Sequence, residues 1–185
     1  MTPEAPVEKR REPQPSMMVR RVIAIRGDGR ILLLKRTADS HPNPGLLEFG
    51  GGKRNPYQLM FETARNELIE EASIACAPIL GFEDYLFHIE KNYPPDHPKW
   101  PNLHYLEAVG IGLIRPGIIA LGDEHTLYKY YTLETAIRRR NELTPEALIV
   151  LVSGYSVLKQ CIKYVKSLNQ PPPSRGGAIL NPNAY

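Results

Sequence analysis

The stretch GGGKRNPYQLMFETARNELIEEASI, Gly50 to Ile74, is the most informative part of this sequence. Its second half reads as a helix, and at about 100° per residue Glu67, Glu70 and Glu71 fall within roughly 100° of one helix face. Like charges at these spacings destabilise an isolated helix by about a few tenths of a kcal/mol per pair, so a compensating partner is expected. A hard divalent cation would serve, because Mg²⁺ and Mn²⁺ prefer oxygen ligands. A solvated acidic face is the alternative for this helix alone.

Three glycines stand before the helix, at Gly50, Gly51 and Gly52, after a short apolar run. A glycine backbone can approach a phosphate or a neighbouring strand closely. Asn55 is placed to cap the helix and Pro56 suits its first turn, so the helix is predicted over 56–72. Its other flank is apolar and should pack on a sheet while the glutamates face a cleft. That flank consists of Phe61, Ala64, Leu68 and Ala72.

The rest of the chain alternates between strand and helix patterns. Strands are predicted at residues 17–27, 30–37, 79–90, 103–114 and 126–132. Helices are predicted at 133–141 and 145–168, the second weakened locally by Gly154. Mixed strands with helices on both sides favour a sandwich, and 185 residues are enough for one full core.

From Gly52 to Ile74 the chain resembles the Nudix box, G-x5-E-x7-R-E-U-x-E-E-x-G-U, where U is a bulky aliphatic residue. The lead-in LLEFGGGK is similar to the W-x-F-P-G-G-K of that family, and DEHTLYKYYTLETA resembles its later E-H-x-x-x-x-W segment. The resemblance covers roughly Met18 to Lys166. It implies an α/β fold, a Nudix-like α/β/α sandwich with a mixed sheet. It also implies a metal-dependent hydrolase of a nucleoside diphosphate linked to another group.

The resemblance implies roles for the acidic residues. Glu70 and Glu71 would bind Mg²⁺ or Mn²⁺, and Glu67 would be a further ligand or the base that activates water. Glu67 and Glu70 are therefore the candidate catalytic residues. A backbone ligand is expected at Gly51 or Gly52. Glu124 is the candidate for a carboxylate from a later loop, with Asp123 as a fallback; an ordinary polar turn is the alternative for that pair.

Substrate contacts are expected from the loop KNYPPDHPKWPNLHY, residues 91–105, and from basic residues near the glycines. Aromatic side chains there can stack on a base, and lysines can meet phosphate. For any single aromatic residue, packing is the alternative. The candidate substrate-binding residues are Gly52, Lys53, Arg36, Trp100 and Tyr105.

Three positions depart from the box. Gln58 replaces its first Glu and removes a negative charge from the cleft. Asn66 replaces its Arg and cannot form an ion pair, while Ser73 replaces its last Gly and lacks easy access to positive φ. The core ligands survive, so a working Nudix-type pyrophosphohydrolase is predicted, one that these three departures can slow. The alternatives are a catalytically weak Nudix-like module that binds a nucleotide or RNA, and a protein interaction domain using the chain ends.

Composition adds broad expectations. The proline-rich ends predict a disordered segment at 1–16 and a flexible tail at 169–185, around a Nudix-like domain at 17–168. No apolar run reaches 18 residues, so no membrane span is expected. The net charge of +3 does not argue for nucleic acid. Two cysteines without metal spacing, Cys76 and Cys161, fit a reduced, cytoplasmic setting. A nucleotide-type substrate is the expected partner; RNA and a homodimer stay open.

Overall fold

The computed structural model describes residues 16–53, 59–82, 86–96, 98, 100–115 and 117–169. Its strands are β1 Ser16–Ile25, β2 Ile31–Arg36, β3 Leu47–Glu48, β4 Gly50–Lys53, β5 Cys76–Pro78, β6 Phe87–Asn92, β7 His104–Ile114 and β8 His125–Tyr131. Its helices are α1 Met60–Ala72, α2 Leu133–Arg138, α3 Pro145–Ser153 and α4 Tyr155–Leu168, with a 3₁₀ turn at Arg140–Glu142. The end segments predicted at 1–16 and 169–185 lie outside the described residues, apart from Ser16 and Asn169.

The eight strands form one mixed sheet in which β1 and β7 are the long central pair. These two run parallel, in register from Ser16 opposite His104 to Ile25 opposite Leu113. All other pairings are antiparallel: β1 with β2 and β4, β2 with β3 and β8, and β7 with β5 and β6. The predicted mixed sheet is confirmed.

Alternation along β1 sends its side chains to two separate cores. Val22 and Ala24 pack with Leu68 of α1 on one face of the sheet, whereas Ile23 and Ile25 pack with the residues of α2, α3 and α4 on the other. Successive strand residues point to opposite faces, so one apolar strand serves both layers. This is the predicted α/β/α sandwich.

Helix α1 begins at Met60, later than predicted, and the expected caps Asn55 and Pro56 lie outside the described residues. Its apolar flank is buried as expected, with Ala64 at 2 % and Leu68 at 0 % exposure. The helix ends at Ala72, and the capping residue Ser73 takes the left-handed conformation with φ 55° and ψ 26°. A side chain there costs roughly 1 kcal/mol that glycine would avoid.

The glycine segment is itself a strand. β4 pairs with β1, with Gly51 opposite Arg21. Gly51 has φ 139°, and a Cβ on it would lie 2.1 Å from the carbonyl oxygen of Arg20. Of the two uses open to the glycines, close approach of a neighbouring strand is therefore the one found at Gly51.

The C-terminal helix predicted over 145–168 is two helices. The first, α3, ends at Ser153 and the second, α4, begins at Tyr155. The two meet at Gly154 with a bend of 76°. A Cβ at Gly154 would lie 2.5 Å from the ring of Phe87, so glycine lets β6 pack against this corner. In the described part of the chain no single helix is long and apolar enough to cross a membrane; the bent pair α3 and α4 meets the length and composition criteria only jointly.

Candidate active site

A cavity of about 470 Å³ opens beside β4, α1 and the start of β1. All but one of the predicted site residues line it. The exception is Glu70, whose side chain is exposed and lies outside the lining. The predicted residues in the lining are Arg36, Gly51, Gly52, Lys53, Glu67, Glu71, Trp100, Tyr105 and Glu124.

Two of the three α1 glutamates face the cavity because of their spacing. Glu67 and Glu71 are four residues apart and lie about 40° from one another around the helix, whereas Glu70 is rotated away from both. Glu71 Oε2 accepts the Gly51 N–H at 2.9 Å. A Cβ on Gly52 would lie 2.3 Å from Glu67 Oε2, so only glycine lets this carboxylate rest on β4.

Both carboxyls hold their protons more tightly than a free glutamate. Burial raises the pKa of Glu71 to about 7, although His125, the Gly51 N–H and Arg21 pull it down. Burial also raises the pKa of Glu67, with further contributions from Glu70 and Glu124. Ionising these groups together is unfavourable without added positive charge, which is the property expected of a cation site.

Arg21 is the main fixed cation under this site. Its guanidinium donates to the Phe49 carbonyl at 2.7 Å and, at 3.4 Å, to the Gly51 carbonyl. It pairs with Glu48 at 3.0 Å and with Glu107 at 3.4 Å. Burial lowers the pKa of Arg21, but these two glutamates raise it above its ordinary value, so the side chain stays charged. Arg21 thereby fixes the backbone of β4 from the opposite strand.

The Glu48 carboxylate contacts three side chains that are cationic or can donate a hydrogen bond. Besides Arg21, it contacts Arg36 Nη1 at 2.6 Å and His125 Nε2 at 3.2 Å. Burial would raise the pKa of Glu48, yet Arg21, His125 and Arg36 outweigh it and lower the value to about 2. Arg36 is therefore held in the cavity wall by an ion pair, and its predicted contact with substrate stays a prediction.

Glu124, the predicted carboxylate from the later loop, sits in the turn before β8. Its carbonyl accepts the Thr37 N–H at 3.0 Å, and its exposed side chain lines the cavity close enough to Glu67 to raise that pKa. The fallback residue Asp123 is exposed and is not among the lining residues.

Aromatic residues from the loop after β6 and from the start of β7 form another part of the wall. The Tyr93 and Trp100 rings lie 5.1 Å apart at 59°, and Tyr105 meets Tyr93 edge-on at 6.3 Å. Tyr105 is only 9 % exposed and its hydroxyl donates to Glu107. The accessible aromatic surface is thus mainly that of Tyr93 and Trp100, while Tyr105 supports them.

The lining fits Mg²⁺ or Mn²⁺ in donor type and in charge. Among the described residues no three His, Cys, Asp or Glu side chains already form a metal-binding group. Carboxylates nevertheless outnumber cations in the wall, six glutamates against two arginines and one lysine. Oxygen donors of this kind suit hard divalent cations. Glu67, Glu71 and Glu124, with the Gly51 carbonyl, are the groups placed to hold one.

Several lining residues went unrecognised in the sequence. Glu48 and Glu107 lie in otherwise apolar strands. A lone carboxylate in such a run indicates a buried ion pair or a functional site, because charged side chains are rarely buried unless they are paired or bind a metal. Glu146, in the first turn of α3, carried no such signal, since acidic residues are common at helix starts. Gln58 lies outside the described residues, and Asn66 is half-buried on α1.

Three solved structures illustrate the fold. The MutT protein from Methanosarcina mazei Go1 aligns with 19% identity and a TM-score of 0.52, covering 85% of this chain and 98% of that one. An Ap4A hydrolase from C. elegans aligns with 19% identity and a TM-score of 0.54, covering 78% and 98%. A bifunctional NMN adenylyltransferase/ADP ribose pyrophosphatase from Francisella tularensis, solved with AMP and a manganese ion, aligns with 18% identity and a TM-score of 0.55, covering 80% and 42%.

At these identities the structural likeness establishes the fold alone. No curated protein matches the chain by sequence. The NUDIX domain family model matches residues 16–150, which include every strand and all the predicted site residues. The chain therefore belongs to the NUDIX domain family.

Proposed function

We propose that this protein is a Mg²⁺- or Mn²⁺-dependent hydrolase that cleaves the pyrophosphate bond of a nucleoside diphosphate linked to another group. As a member of the NUDIX domain family it is a Nudix-type pyrophosphohydrolase, as the sequence predicts. The cation dependence and the class of substrate are the parts we add.

The charge of the cavity supports this proposal most directly. Six glutamates and only three cationic side chains line it, and Arg21 and Arg36 are already paired with glutamates. A diphosphate is itself an anion, and like charges about 4 Å apart repel by about 1–4 kcal/mol. Such a substrate needs an intervening cation to enter. The manganese ion in the Francisella tularensis structure supports the same conclusion.

We assign roles in hydrolysis to several of the lining residues. Glu67, Glu71 and Glu124 would hold the cation with the Gly51 carbonyl, and Arg21 fixes β4 beneath them. A bound divalent cation neutralises phosphate charge and lowers the pKa of water. Water attacks phosphorus, its proton passes to a carboxylate, and the bond to the bridging oxygen breaks. Glu67, resting on Gly52, is our candidate for that proton acceptor.

The test is a product-release assay over a panel of nucleoside diphosphate derivatives, with Mg²⁺, Mn²⁺ or EDTA. We expect turnover of at least one compound with metal and none with EDTA. Glu67→Gln and Glu71→Gln should each lower kcat by about 10²-fold or more, because both carboxylates face the reacting groups. Glu134→Gln, an exposed change on α2, is the matched control. Glu70→Gln decides whether that residue acts despite lying outside the lining.

Absence of turnover across the panel would contradict the proposal. Nucleotide binding without turnover would instead favour the catalytically weak binding module, for which the losses at Gln58 and Asn66 argue. Activity that survives in EDTA would remove the cation from the mechanism.

A further inference from the structure

The α1 glutamates and Glu146 line the cavity from different layers of the fold. Glu67 and Glu71 belong to α1, on one side of the sheet, whereas Glu146 belongs to α3 on the other. A second hollow of about 290 Å³ shares Tyr93, Trp100 and Glu146 but none of the α1 glutamates. The aromatic region therefore extends beyond the acidic one. A ligand with its phosphates among the glutamates has room to project its other end there.

The aromatic surface suits a flat ring. Tyr93 and Trp100 are both partly exposed and lie against one another at 5.1 Å, and Tyr105 supports Tyr93 edge-on. A nucleobase can stack on such side chains, and stacking does not discriminate strongly between bases. Discrimination must come from polar groups at the edge of the stacked ring.

Besides His41 and Asn43, the polar side chains that line this hollow are Glu146 and Lys91. The Lys91 ammonium forms an ion pair with Glu146 Oε1 and lies 5.9 Å from the centre of the Tyr105 ring. The Glu146 side chain is 14% exposed and the Lys91 side chain 32%. A carboxylate has about four acceptor positions, so the ion pair leaves Glu146 able to accept further N–H groups. Together the two side chains present acceptors beside a donor.

Resting on the proposed function, we infer that this pair selects guanine as the base of the substrate. Guanine carries two adjacent donors, N1–H and the 2-amino group, beside the O6 acceptor. Glu146 would accept from both donors while Lys91 donates to O6. Adenine offers one amino donor beside an unprotonated N1, which a carboxylate repels. Hydrogen bonds to a charged group contribute about 1.5–3 kcal/mol, which corresponds to a preference of about 10-fold or more.

Trp100 makes the inference measurable without catalysis. It is the single tryptophan of the chain and lies in the aromatic wall, so quenching of its fluorescence reports ligand binding directly. The probes are GMP, IMP and AMP, which contain no pyrophosphate bond and cannot be turned over by the proposed activity. IMP differs from GMP only by the missing 2-amino group. We expect GMP to bind about 10-fold or more tightly than AMP, with IMP between them.

Two variants distinguish selective recognition of guanine from nucleotide binding in general. Glu146→Gln should reduce the GMP-over-AMP preference to within about threefold, because an amide cannot accept two N–H bonds on equal terms. Glu90→Gln is the matched control, since this glutamate is 61% exposed on β6 and pairs with His104 instead. Its base preference should equal that of the wild type. If Glu146→Gln does not fold, the comparison of GMP with IMP in the wild type still decides.

Equal affinities for the three nucleotides, or tighter binding of AMP, would overturn the inference. So would a GMP preference that survives in Glu146→Gln. A GMP preference together with no turnover in the diphosphate panel would sustain guanine recognition and reject the hydrolase. Turnover without any base preference would sustain the hydrolase and reject guanine recognition.

Discussion

Replacing Glu71 with glutamine should make the metal-free protein more stable, by an amount that grows as the pH rises from 4.5 to 7. Burial raises the pKa of this carboxyl from 4.5 to about 7 in the folded state. Because a tenfold change in proton affinity is about 1.4 kcal/mol, the ionised form disfavours folding by about 3 kcal/mol. The sign follows from proton binding. Between pH 4.5 and 7 the folded state binds more protons at this site than the unfolded chain, so the wild type loses stability as pH rises through that window.

Glutamine resembles the protonated carboxyl and retains an oxygen for the Gly51 N–H. Glu71→Gln should therefore match the wild type at pH 4.5 and exceed its unfolding free energy by about 3 kcal/mol at pH 8. The assay is urea unfolding in EDTA at both pH values, followed by circular dichroism. Glu70→Gln is the control because its carboxylate is exposed. The reasoning fails if the gain for Glu71→Gln is the same at both pH values, or if Glu70→Gln gives an equal gain.

Three further changes test the supports of the site. Arg21→Met should lower the unfolding free energy by about 3–5 kcal/mol in urea titrations, because it leaves the buried Glu107 carboxylate without Arg21 and removes one of the cations that Glu48 contacts; an unchanged midpoint would refute that role. Ser73→Gly should raise stability by about 1 kcal/mol, since φ there is 55°, whereas Ser156→Gly within α4 should lower it by a similar amount; a loss in both would contradict the backbone argument. Gly52→Ala should weaken Mn²⁺ binding in calorimetry at least about 10-fold, because the new methyl displaces the carboxylate that lies 2.3 Å away. Gly117→Ala, whose new methyl would come no closer than 4.0 Å to the Arg115 carbonyl oxygen, should bind Mn²⁺ as the wild type does.

Local hydrophobic patterns in the sequence predicted most of the strands and helices that build the α/β/α sandwich. The alternation in β1 and the apolar flank of α1 could be read directly, because each repeats at the period of its own secondary structure. The break at Gly154 was only partly predicted. Glycine inside a helix weakens it by about 1 kcal/mol, but the sequence does not show that Phe87, 67 residues earlier in the chain, packs at the corner where the two helices bend by 76°.

For the candidate site, the family, the acidic helix and its spacing from the glycines could all be inferred from local sequence. These are properties of residues that are neighbours along the chain. The three-dimensional arrangement of strands and helices was needed to establish that Glu67 and Glu71 face the cavity while Glu70 does not, and that Arg21 lies beneath β4. It alone brought Glu146 of α3 to Tyr93 and Trp100. Contacts of this kind join residues far apart in sequence, and nothing in either segment alone records which partner the folded sheet will bring within reach.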